Sequence, residues 1–269
     1  MDELAQVEVC ARGGTLRLPA RAVAKSVLPY TNIMALPTEL HALSIGSRLA
    51  PHMLELYVDY QCPFSAKILR NFDHDVVPLI IGEGARFKDQ VRVVLRPTPQ
   101  PWHVSSMLTH ESALAVARIA LDDPQETADP SRNAFWLYSL ALMREQERFF
   151  DNAVRSKTPD QVRGELATIA VNVLGEDIRR AKRPAVVRDL GGQPLGQAVK
   201  NWTKVSDEGN TGSAIVPFLK YAIKIGRQNS IHITPTALWN GVVEPSISSS
   251  FSQQQWVEFL EQRTRPSKA

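Results

Sequence analysis

The residues best placed to do chemistry in this 269-residue chain are Gln61-Cys62-Pro63-Phe64-Ser65. A proline directly after Cys62 can open a helix, which sets the thiol beside unpaired peptide N–H groups and the positive helix end. Both favour a thiolate, the form that attacks disulfides and carbon electrophiles. Ser65, three residues on, either donates its hydroxyl to that thiolate or caps the helix. With serine there, a mixed disulfide on Cys62 has no resolving thiol inside the motif. The competing reading of Cys62 is a small buried hydrophobe, the commonest fate of a free cysteine.

Other reactive groups are sparser. Glu55 and Asp59 precede the thiol and read either as acids that move protons or as hydrogen-bonded or solvated carboxylates. His103 follows Pro97-Thr98-Pro99-Gln100-Pro101 and either lines a cleft as acid or base, or simply starts a helix. Cys10 lies far from Cys62 in sequence and reads as a surface or packed thiol, with a resolving partnership as the alternative. The six histidines form no ligand-spaced cluster, so no metal is expected. Arg179 to Arg188 reads as a solvated basic face, and Gly191-Gly192 lacks the strand and helix of a phosphate loop.

The elements that must position these groups are legible. Met53 to Tyr60 alternates as a strand, with Leu54, Leu56, Val58 and Tyr60 on one face and a polar-tipped face carrying Glu55 and Asp59. Pro63 to Ile80 has helical spacing, and Val91 to Leu95 is a second strand, so strand, helix and strand join by a parallel crossover. His103 to about Gly226 is helical: Glu111 to Leu121, Asn133 to Phe150, a helix capped by Thr158 and Gln161 and stopped by Gly175, and about Ser213 to Ile225. Ile231 to Thr234 reads as a strand, Asn240-Gly241 as a hairpin turn to Val242-Val243, and Ser252 with Gln255 as the capping box of a terminal helix.

A Cys-Pro-x-Ser turn opening the first helix, a long helical insertion, and then Ile233-Thr234-Pro235-Thr236 ahead of a hairpin resemble the thioredoxin superfamily, in particular DsbA-like proteins. The resemblance covers about residues 50 to 262. It implies an α/β thioredoxin-like fold with a large inserted helical subdomain, a cis bond at Thr234-Pro235, and a backbone there that pairs with an extended peptide or with glutathione. Ser65 stands where the family has its second cysteine. The turn is also similar to that of kappa-class glutathione transferases and hydroxychromenecarboxylate isomerases, whose catalytic serine is matched by Cys62. The implied catalytic residues are Cys62 and Ser65, and the substrate-binding ones Pro63, Phe64, His103, Thr234 and Pro235.

Composition sets the remaining expectations. Hydrophobic residues make up 43% of the chain, and 31 basic against 28 acidic side chains leave a net charge of +3. That suits a globule and offers no basic, aromatic-laced surface for nucleic acid. The charged start Met1-Asp2-Glu3-Leu4 and the shortness of every apolar run point to a cytoplasmic protein without a membrane span. The expected divisions are 1–50 as an N-terminal extension, 51–102 and 229–269 as the two halves of the thioredoxin-like domain, and 103–228 as the helical insertion. The expected activity is monothiol oxidoreduction at Cys62, with no tightly bound cofactor and glutathione as co-substrate. A glutathione-dependent isomerase or transferase acting on a small hydrophobic molecule, and a non-catalytic binding module, are the alternatives. Expected partners are glutathione or a peptide or small-molecule substrate, with a homodimer left open.

Overall fold

The computed structural model describes residues 6–11, 14–19, 36–119, 128–180 and 193–265, the side chains of 6–11, 14–19, 38 and 176–180 excepted. The expectations for the Cys10 thiol, for the side chains of the basic run and for Gly191-Gly192 fall outside these residues. The chain divides into two units, Met1–Ala35 and Leu36–Ala269. The first holds an antiparallel hairpin of β1 (Gln6–Ala11) and β2 (Gly14–Pro19).

The second unit is built on a five-stranded mixed sheet. Its strands are β3 (Ser44–Ile45), β4 (His52–Val58), β5 (Val91–Pro97), β6 (Thr236–Trp239) and β7 (Val242–Val243), in the order β3-β5-β4-β6-β7. Only β4 and β5 run parallel, as their crossover requires. This unit begins before residue 50: the 3₁₀ helix Thr38–Leu43 buries Leu40 and Leu43, and β3 pairs with β5, so the boundary lies at 35/36. Gly46 turns the chain out of β3 at φ +83°, where a Cβ would stand 2.8 Å from the Val91 carbonyl oxygen.

The crossover carries α1 (Pro63–Asp75) and α2 (Val77–Ile80). One continuous helix over 63–80 was expected. The structure breaks it at Val76, because the Pro78 ring has no N–H to bond the preceding turn and clashes with its carbonyl. Phe72 fixes α1 edge-on against Trp136 and Trp256, with ring centroids 6.4 and 5.2 Å away, and the Trp136 indole donates to Asp73 at 2.7 Å.

Between β5 and β6 come α3 (Ser106–Ile119), α4 (Ala134–Arg144), the 3₁₀ turn Gln146–Phe149, α5 (Asp151–Val154), α6 (Pro159–Arg180), α7 (Leu195–Thr203) and α8 (Val216–Gln228). Asn133 caps α4 by accepting the Trp136 N–H, and Thr158 with Gln161 forms the reciprocal cap of α6. Gly175 does not end α6. A glycine inside a helix costs only about 1 kcal/mol, and buried Val162, Leu166, Ile169, Ala170 and Leu174 outweigh that. Ile231 to Thr234 is not a strand either. After α8 its backbone is turned aside by the Ile231 N–H bonding the Gly226 carbonyl, and pairing starts only where Thr236 meets Tyr57.

Asn240 and Gly241 take φ of +50° and +82°, the left-handed pair of a tight hairpin, and Asn240 also accepts the Met53 N–H. The last helix, α9 (Gln253–Thr264), has the full Ser252/Gln255 capping box and buries Trp256, Phe259 and Leu260. Among the described residues no helix is long and apolar enough to cross a membrane.

The expected polar-tipped face of β4 is covered. Asn229, just beyond α8, donates to the Tyr57 hydroxyl at 2.8 Å, and Glu55 is fully buried in an ion pair with Arg96 at 2.7 Å. Breaking such a pair from one side strands a charge in the core. Arg96→Leu should therefore cost about 3–5 kcal/mol in urea unfolding, and the double variant Glu55→Leu/Arg96→Leu should recover most of it. Equal losses in the single and double variants would contradict this account.

Candidate functional site

Cys62 is the N-cap residue of α1, with φ −82° and ψ 118°, followed by Pro63 at the first helical position. The thiol is almost wholly buried, and Sγ donates to the Thr234 carbonyl at 3.3 Å. The Thr234–Pro235 bond is cis. The first-half turn and the second-half loop, 172 residues apart, thus meet at the sulfur. Gln146 braces the turn from outside, its amide donating to the Tyr60 carbonyl at 3.0 Å and the Cys62 carbonyl at 3.4 Å.

Ser65 does not face the thiol. It is fully buried, and its hydroxyl oxygen accepts the Asp59 N–H at 3.2 Å; no hydrogen bond joins it to Cys62 among the described residues. On a helix beginning at Pro63, position 65 turns back toward the strand that feeds the motif, so the hydroxyl ties the helix to β4 instead of donating to sulfur.

Beneath the turn lies Asp59, with no solvent exposure. Its Oδ1 accepts the Gln61 N–H (2.9 Å) and the Ser106 hydroxyl (2.8 Å). Its Oδ2 accepts the Gln100 N–H (3.0 Å) and lies 2.7 Å from Nδ1 of His103. Ser105 bonds the Gln61 side chain and the Phe149 carbonyl. His110, one turn along α3 and fully buried, has Nδ1 at 2.8 Å from the Ser106 carbonyl oxygen. Burial alone would raise the Asp59 pKa, but nearby His110 and the hydrogen bonds from Gln61, His103 and Ser106 outweigh it, and the carboxyl titrates below its usual 3.8. Burial pushes His110 below its usual 6.5, against the opposing pull of Asp59.

His103 keeps some exposure and lines a cleft of about 370 Å³ with Gln61, Pro63, Phe150, Asp151 and Asn152. Phe64 in the first turn of α1 and Trp102, Val104 and Ile233 on the neighbouring loops, all large and apolar, are more than half exposed. Of the residues singled out in the sequence, Cys62 meets Thr234 directly, Pro63 and His103 share the cleft, and Phe64 faces solvent. Of the linking residues, Gln61 belongs to the motif itself, and Gln100, Ser105, Ser106, His110 and Gln146 were not singled out in the sequence. The sequence leaves Asp59 either a proton-moving acid or a hydrogen-bonded or solvated carboxylate, and the structure buries it among hydrogen-bond donors. Among the described residues no group of three or more potential ligands could hold a metal ion.

No family model matches the chain, and no match is found among curated proteins. Solved structures do match. A candidate protein-disulfide isomerase from Pseudomonas syringae superposes with a TM-score of 0.54 at 23% identity, covering 81% of this chain and 97% of that one. BdbD from Bacillus subtilis, in its oxidised form, gives 0.51 at 17% identity, covering 84% and 94%. The fold is thus the DsbA-like thioredoxin fold with its helical insertion.

The two depressed pKa values have one sign. At these two groups the unfolded chain binds more protons than the folded one, so each removes stability on acidification, His110 first as pH falls through 6.5, where it protonates in the unfolded chain, and Asp59 again below 3.8, whereas Glu111, raised by burial from its usual 4.5, acts with the opposite sign. His52, also lowered by burial, adds to the first window. Urea unfolding across pH 3–8 should show both losses, and His110→Gln should reduce the slope between pH 5 and 7, on the order of one proton's worth. An unchanged slope in that variant would contradict the buried neutral imidazole.

Proposed function

We propose that the chain is a monothiol thioredoxin-like oxidoreductase that carries a mixed disulfide on Cys62 and uses glutathione to release it. The observation that carries this reading is the position of the Cys62 sulfur, at the N-cap of α1 and 3.3 Å from the Thr234 carbonyl ahead of cis-Pro235. There the backbone of residues 233–235 lies beside the sulfur and outside the sheet, where an extended partner can pair with it. The name of the Pseudomonas syringae neighbour points the same way.

In the proposed cycle the Cys62 thiolate attacks one sulfur of a disulfide R–S–S–R′. A Cys62–S–S–R bond forms as the R–S–S–R′ bond breaks, and R′–S⁻ leaves. His103, held through Nδ1 by Asp59 and facing the cleft, supplies the proton to R′–S⁻. A glutathione thiolate then attacks the R sulfur, forming G–S–S–R and returning Cys62 as thiolate, while the glutathione proton restores His103. The balance is R–S–S–R′ plus GSH giving G–S–S–R plus R′SH. The buried Ser65 hydroxyl, turned to the Asp59 N–H, gives less support to glutathione-dependent isomerase or transferase chemistry. The apolar collar of Phe64, Trp102, Val104 and Ile233 supports a polypeptide as R–S–S–R′.

Reduction of a glutathione mixed disulfide, coupled to glutathione reductase, tests the assignment. Cys62→Ser should fall to the uncatalysed rate. Ser65→Ala should keep the rate within about threefold while losing about 1–3 kcal/mol of stability, because it leaves the Asp59 N–H without a buried acceptor. Full activity in Cys62→Ser would sink the proposal. Loss of activity without loss of stability in Ser65→Ala would return the serine hydroxyl to the thiol chemistry.

A further inference from the structure

Helix α8 ends six residues before Thr234, and its outer side forms one wall of a groove of about 690 Å³ against the start of α3. Leu219, Ile223 and half-exposed Met107 give the groove an apolar floor and rim. Lys220, Lys224 and Arg227 stand along it at i, i+4 and i+7, on one helix face. None of the three makes an ion pair among the described residues, and no carboxylate lines the groove. Three cations grouped without a counter-charge beside an apolar floor form a surface whose complement is both acidic and apolar. From the end of α8 at the groove the chain runs through residues 229–233 to the carbonyl on the Cys62 thiol. The other side starts at Met107, next to the Ser106 that holds Asp59.

We infer that this groove is a docking site for an extended polypeptide segment in which acidic and apolar residues alternate, located beside the disulfide that Cys62 attacks. The inference deepens the oxidoreductase reading and rests on it for the role of the docked segment. The spacing suits a strand: seven helical residues from Lys220 to Arg227 span about 10 Å, the length of about three extended residues, and successive side chains of such a segment point to opposite sides. Acidic side chains then meet the cation row while the apolar ones reach Leu219, Ile223 and Met107. The apolar floor and the small number of cations favour a peptide over a nucleic acid backbone, whose binding would rest on phosphate contacts alone.

The test separates docking from thiol chemistry. Fluorescence anisotropy of cysteine-free twelve-residue peptides, one alternating Glu with Leu or Val and one with Lys in place of Glu, is read against the full chain carrying Cys10→Ser. The acidic peptide should bind at least about tenfold more tightly, lose the advantage as salt rises toward 1 M, and be rejected by Lys220→Glu/Lys224→Glu/Arg227→Glu, which should prefer the basic peptide. Neutral 2,2′-dithiodipyridine should react with Cys62 equally fast in both proteins. Equal binding of the two peptides, an unchanged preference in the triple variant, or displacement of the peptide by a single-stranded oligonucleotide at lower concentration would each overturn the inference. Failure of dithiodipyridine to react in either protein would instead count against the oxidoreductase reading, with the anisotropy result still deciding the groove.

Discussion

One carboxylate, excluded from water, organises the site. Asp59 accepts hydrogen bonds from the turn ahead of α1 through Gln61, from the loop after β5 through Gln100, from the start of α3 through Ser106, and pairs with His103. A buried anion without such donors would be costly by several kcal/mol, so each donor is required to stay where it is. Two stretches distant in sequence, 59–61 and 100–106, are thereby fixed to one point beneath Cys62. The thioredoxin-like half and the helical insertion meet here through hydrogen bonds with defined geometry, whereas apolar packing elsewhere tolerates substitution by side chains of similar size.

The same constraint explains why Ser65 is turned away from the sulfur. With its carboxylate committed below, the Asp59 backbone N–H has to be satisfied from the helix side, and Ser65 is the group that reaches it. The thiol is left with the Thr234 carbonyl from the opposite half of the fold. Position three of the helix is therefore a structural tie between β4 and α1, and the groups left at the mouth of the candidate site are Cys62, His103 and the cis-proline loop.

Much of the fold was legible in the sequence because its signals are local. The alternation of Met53 to Tyr60, Asn240-Gly241, and the Ser252/Gln255 capping box each encode their element within a few residues. Local signals failed where tertiary contacts decide the outcome. Gly175 looked like a stop until the buried face of α6 outweighed its propensity, and Ile231 to Thr234 looked like a strand although its register partner begins only at Thr236. Within the site, Cys62 and Pro235 could be paired from a resemblance, but the Asp59 network could not. Its members lie on two stretches about 40 residues apart, and spacing along the chain carries no information about which carboxylate they surround.

The sheet's two rims are as short as strands can be: β3 and β7 contribute two residues each. An outer strand of normal length offers a row of unpaired N–H and C=O groups that templates growth by further chains. Here the template ends almost as soon as it begins, and the hairpin turn at Asn240-Gly241 and the turn at Gly46 close off both borders. A further chain that paired with either border of this five-stranded sheet would thus find only about two residues of strand to pair with.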